Sequence, residues 1–101
     1  MRVLDLSDLD RVPWARFQAA TEYPFEMKRE GAGGEVLVEF VVAADGSVQD
    51  ARAVRSSRRE FEAAAERAVV KWKFRPGQKE GRNVATRIQV PIVFSLNEAR
   101  D

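Results

Sequence analysis

The clearest pattern in the chain is alternation. From Glu35 to Val42, Val36, Val38, Phe40 and Val42 share one side, while Glu35, Leu37, Glu39 and Val41 share the other. β-Branched residues at period two predict a strand, and apolar residues on both sides predict a central one. Asp45-Gly46 follows, a hairpin signal because Gly tolerates positive φ. Val48 to Arg55 is the predicted return strand. A register that sets Glu39 opposite Arg52 also sets Leu37 opposite Val54, with Ala51 and Ala53 beside Phe40 and Val38 on the core side. Opposite charges facing each other across strands are mildly favourable. Val84, Thr86, Ile88, Val90, Ile92 and Phe94 alternate with Ala85, Arg87, Gln89, Pro91, Val93 and Ser95. This third strand has one apolar face, and Pro91, which lacks an N–H, predicts an edge position.

Between the second and third strands the period changes. Phe61, Ala64, Ala65, Ala68, Val69 and Trp72 form one helical stripe, with Glu62, Glu66, Arg67 and Lys71 elsewhere on the helix. Ser57 and Glu60 have capping-box spacing, and Pro76-Gly77 is the predicted stop. Gln78 to Asn83 reads as a polar loop. Pro24 to Glu30 reads as a short helix closed by Gly31. Residues 1–22 show no clean period and read as an arm or linker with apolar anchors; 97–101 read as a tail. The predicted fold is α+β: a three-stranded antiparallel sheet, order second-first-third, with one long helix on one face and a short N-terminal helix. The helix cannot reach the face carrying Leu37, Val41 and Val54. The expectation is that the arm, through Val12, Trp14 or Phe17, or a second copy in a homodimer, covers it.

Composition removes most chemistry. The 101 residues contain no Cys and no His, so thiol nucleophiles, zinc–thiolate sites and His-based triads are excluded. Neither a metal nor a cofactor is expected. Seventeen basic residues against 16 acidic ones leave a charge of +1, which removes the prior for nucleic acid. No apolar run of membrane-spanning length and no export signal are present in this sequence. Asp45 and Asp50 flank a turn and are too few for a cation site. Arg52, Arg55, Arg58 and Arg59 read as a solvated basic surface, with a dock for an acidic peptide, peptidoglycan or phosphate as the sharper alternative. Trp72 and Phe74 read as core.

Several pieces together resemble the C-terminal domain of TonB energy transducers. They are Tyr23-Pro24, Gly34-Glu35-Val36 through Phe40, Asp45-Gly46-Ser47-Val48, Ser56, Phe61 with Ala65 to Ala68, Trp72-Lys73-Phe74-Arg75-Pro76-Gly77 and Pro91-Ile92-Val93-Phe94. The resemblance covers 23–96 and implies a non-catalytic module. Such domains lie in the periplasm, anchored to the inner membrane in the full-length form. They grip the TonB box, an extended peptide of outer-membrane transporters, and pass on force from a proton-driven inner-membrane motor for siderophore or cobalamin uptake. The family's membrane helix and Pro-rich spacer have no counterpart in this sequence, so contact with the motor would run through segments outside it. The implied grip is strand addition along Ala85, Arg87, Ile88, Gln89, Val90, Pro91 and Val93, flanked by Tyr23 and Pro24. The alternative is a structural or oligomerising adaptor on the same fold.

Overall fold

The computed structural model describes residues 2–96; the predicted tail, 97–101, lies outside the described residues. In chain order the elements are β1 (Val3–Asp5), β2 (Trp14–Phe17), α1 (Phe25–Glu30), β3 (Gly34–Val42), β4 (Val48–Ser56), α2 (Glu62–Val69), β5 (Lys73–Arg75), β6 (Gly77–Lys79) and β7 (Arg82–Phe94). The predicted centre is present. β3 lies between β4 and β7 and is antiparallel to both. The helical stripe, from Phe61 through Ala65 and Val69 to Trp72, is buried against Val36, Val38 and Phe40. Alanines at Ala64, Ala65 and Ala68 leave room for the helix to sit close to the sheet. Phe40 meets Trp72 edge-to-face at 6.3 Å and Phe74 at 5.6 Å, and Phe61 stacks on Phe94 at 4.4 Å. Aromatic pairs in these geometries add to the energy of simple burial.

The sheet is larger than predicted. It has five strands in place of three, because β1 adds in parallel to β7 and β6 adds antiparallel to it. β2 and β5 form a separate two-stranded ribbon. The predicted loop 78–83 is therefore largely the β6–β7 hairpin. Its turn residues Glu80 and Gly81 both have positive φ, which suits the twist of a two-residue connection. The long helix is also shorter than predicted. It begins with a 3-10 turn at Arg59–Phe61 and ends at Val69, because Lys73–Arg75 is drawn into pairing with β2. Ser57 does not cap it; its hydroxyl accepts the Glu35 N–H at 2.9 Å and fastens the start of β3 instead.

The β3–β4 register is correct at its middle and shifted at both ends. Glu39 faces Arg52 and Val38 faces Ala53, but Leu37 faces Arg55 in place of Val54, and Val41 faces Gln49. Two bulges absorb the difference; next to one of them Asp50 has a φ of 56°. Gly46 at the hairpin turn has a φ of 90°, and its carbonyl accepts the Phe74 N–H at 2.9 Å. A side chain at Gly46 would collide with the Phe74 carbonyl.

The arm does not cover the second sheet face as expected. It runs along the helix side, where Ala15 and Ala19 pack on the core and the Trp72 indole N–H donates to the Ala19 carbonyl at 3.0 Å. Val12, Trp14 and Phe17 stay exposed. On the sheet, Val41 is buried, Leu37 is half-buried and Val54 is exposed.

Candidate functional site

The residues singled out in the sequence converge on β7. Its inner side pairs with β3 along its length from Thr86 to Phe94, with Glu39 opposite Gln89 and Leu37 opposite Pro91. Pro91 has no N–H to give, so its backbone is tolerated where that group would point away from β3. Antiparallel backbones reverse direction at each residue. Gln89 and Val93, two residues either side of Pro91, therefore turn their N–H and C=O groups outward as well. Ile88, Val90 and Ile92 turn theirs to β3, and their side chains face the core.

The outer side of β7 is divided. Arg82–Val84 pairs with β6 before β3 pairing begins at Thr86, and on the outer side Ala85, Thr86 and Arg87 pair in register with Val3, Leu4 and Asp5 of β1. The strand is thus paired on both sides at Thr86 and Arg87, which departs from the expectation of a simple edge. From Ile88 to Phe94, β3 is its only partner among the described residues. Two of the named positions, Ala85 and Arg87, lie under β1; Ile88, Gln89, Val90, Pro91 and Val93 lie in the open half.

Side chains on the far face of the sheet are tied together by Glu39. Its carboxylate accepts from the Gln89 amide at 3.2 Å and from Arg52 at 3.0 Å, with Arg87 at 3.9 Å. The Gln89 and Arg52 hydrogen bonds hold Glu39 below its ordinary value of 4.5. Beside this network a depression of about 330 Å³ is lined by Glu35, Leu37, Pro91, Arg55, Ser56 and Ser57.

Tyr23 and Pro24 act as local anchors. The Tyr23 hydroxyl donates to the Ala32 carbonyl, and the ring meets Phe61 and Phe94 edge-on at 5.7 and 5.8 Å. Pro24 is the residue before the first turn of α1. Both are only half-buried and sit at the Phe94 end of β7. The basic cluster is dispersed: Arg52 pairs with Glu39, Arg55 lines the depression beside Pro91, and Arg59 lies among Glu60, Glu62 and Glu66. Asp45 is used by its turn. The Ser47 hydroxyl and N–H both donate to it, and they hold its carboxyl below the ordinary value. Among the described residues no group of acidic side chains has the arrangement of a metal site, and no helix is long and apolar enough to cross a membrane.

A family profile described as "Gram-negative bacterial TonB protein C-terminal" matches residues 19–96. The chain belongs to this family. It is 39% identical over 77 residues to the TonB protein of Xanthomonas campestris pv. campestris, covering 75% of this chain and 34% of that protein. It is 38% identical over 79 residues to the tonB2 protein of Pseudomonas aeruginosa, covering 77% of this chain and 29% of that protein. The chain thus spans about a third of the length of these TonB relatives. The solution NMR structure of the Pseudomonas aeruginosa TonB CTD superposes with a TM-score of 0.70 at 26% identity, covering 94% of this chain and 95% of that one.

What sequence reasoning missed at the site is β1 itself. Its only available signal was a short apolar cluster, Val3, Leu4 and Leu6, in a segment without a clean period. The TonB profile match begins at residue 19, so β1 and β2 lie outside it.

Proposed function

We propose that this chain is the peptide-gripping domain of a TonB-type energy transducer. It takes the TonB box of an outer-membrane transporter as an added strand on the outer side of β7. Force from the proton gradient then passes through that pairing to drive uptake of a scarce nutrient of the siderophore or cobalamin kind. The domain works in the periplasm as part of a protein anchored to the inner membrane, and it performs no catalysis. Contact with the motor belongs to other segments of that longer protein.

The observation that carries this reading is the open half of β7. Gln89 and Val93 each offer an outward N–H and C=O, and Pro91 adds a carbonyl. A row of backbone groups with no strand partner among the described residues, on an otherwise well-packed sheet, is a hazard unless it is blocked or used. Backbone pairing supplies affinity with little demand on sequence. Gln89 and Arg87, on the far face, would read the peptide's side chains, and the Arg87 guanidinium suits an acidic one. Few bonds are available, so the affinity should be modest, on the order of micromolar.

Titrating the ¹⁵N-labelled protein with a synthetic TonB-box peptide tests this. Amides from Ile88 to Val93 should shift. Gln89→Pro should abolish those shifts while the rest of the spectrum stays folded, because an outward donor is lost and the β3 ladder keeps its bonds. Shifts confined to Arg52–Arg59 would move the site to the basic cluster and end the strand-addition reading.

A further inference from the structure

We propose that β1 is an internal ligand of the same edge, and that an incoming peptide occupies the full outer side of β7 only by displacing it. The inference rests on the strand-addition reading and adds its regulation.

Four observations support it. First, Val3–Asp5 pairs with Ala85–Arg87, directly continuous with the open stretch at Ile88. The chain leaves the edge at Leu6, where a 3-10 turn begins, so the resident strand stops where the vacant track starts. Second, β1 is lightly held. It has three residues, and only Leu4 is buried; Val3 is half-buried and Asp5 exposed. Short segments with few buried apolar contacts open locally at low cost. Third, the fit beneath it is incomplete. Thr86, in register with Leu4, is fully buried, and its hydroxyl has no hydrogen-bond partner among the described residues. Fourth, the neighbouring chain is firmly tied independently of β1. Arg11 and Gln78 exchange backbone hydrogen bonds at 3.2 and 2.9 Å, Asp10 accepts the Glu80 N–H at 2.6 Å, and β2 pairs with β5. When β1 lifts, the arm stays attached a few residues away.

A tethered competitor of this kind acts at high effective concentration. It divides the intrinsic affinity of the edge by the inverse of the fraction of molecules in which the edge is free. Weak or mismatched peptides are excluded, and a peptide that fills the whole track from Ala85 to Val93 gains by taking both halves.

The test uses the full chain. Because the protein has no cysteine, Asp5→Cys with Arg87→Cys creates a single disulfide that locks β1 in place and is released by reductant. Leu4→Asp unseats β1 without a crosslink. Binding of a synthetic TonB-box peptide is followed by calorimetry and by the amides of Ala85–Val93. The oxidised double variant should bind at least about tenfold more weakly than the same protein reduced, and Leu4→Asp about tenfold more tightly than the parent. A synthetic peptide of residues 2–8 should bind Leu4→Asp at Ala85–Arg87 and compete with the TonB-box peptide. Equal binding by the oxidised and reduced forms, with Ile88–Val93 shifting in both, would overturn the competitor and leave the grip intact. Failure of the TonB-box peptide to bind any form would overturn both.

Discussion

The two strands that flank β3 meet the same problem, an outer row of backbone groups, and solve it differently. On β4 the helix that packs beside it supplies side chains, and one of them takes a backbone N–H. The Glu66 carboxylate accepts the Ala53 N–H at 2.7 Å, the Ser56 hydroxyl donates to Glu62 at 2.5 Å, and the bulge near Asp50 twists the strand. Side-chain carboxylates end a ladder without offering a new one. The outer row of β7 is closed by more backbone, β1, over Ala85–Arg87, and from Ile88 to Phe94 it has no strand partner among the described residues. Backbone closure can be exchanged for other backbone. A carboxylate takes one N–H and presents no strand in its place, so the two edges differ in what they offer and not merely in how exposed they are.

The largest test of this contrast removes the support of the β4 edge. Trp72→Ala empties the end of the helical stripe and frees the Ala19 carbonyl, and should cost about 3–5 kcal/mol in chemical denaturation. The amides of β4 should lose hydrogen-exchange protection along with those of α2. A cost below about 1 kcal/mol would mean that the helix does not depend on Trp72.

A narrower change opens β4 alone. Glu66→Ala leaves the Ala53 N–H without its carboxylate and should cost about 1–3 kcal/mol. Sedimentation should then show concentration-dependent association through β4. A variant that is equally stable and does not associate would show that Glu66 does not protect that edge.

The smallest effect concerns Glu39, which links Arg52 on β4 to Gln89 on β7. Its pKa is lowered in the folded state, first by the Gln89 hydrogen bond and then by Arg52. A depressed carboxyl contributes stability that is complete above its ordinary value of 4.5 and is lost as pH falls through the lower folded value. The stability difference between the parent and Glu39→Gln should therefore be flat from about pH 7 to about pH 5 and shrink in more acid solution. A difference that changes between about pH 5 and 7 would assign the effect to another group.

The extent to which the sequence foretold this protein follows the range of the interactions concerned. The alternation of Val36–Val42 and Val84–Phe94, the stripe from Phe61 to Trp72, the Asp45-Gly46 turn and the Glu39–Arg52 facing pair are all set by side chains a few residues apart or by one hairpin. Each leaves a periodic or a chemical mark in the chain. The family resemblance was legible for the same reason, since its pieces are turn and core residues in order. The tertiary structure alone decided the rest. Ser57 was free to cap the helix but was taken by Glu35. Lys73–Arg75 had the residues of a helix end but was drawn into the ribbon with β2. Two bulges moved the register of β4 at both ends while its middle stayed where the charges put it. Above all, β1 is a three-residue strand whose partner lies more than eighty residues further along the chain. What holds it there is backbone hydrogen bonding, which every residue but Pro can offer and which therefore writes no pattern into the sequence. Only the folded sheet, by leaving the outer side of Ala85–Arg87 unpaired, creates the place for it.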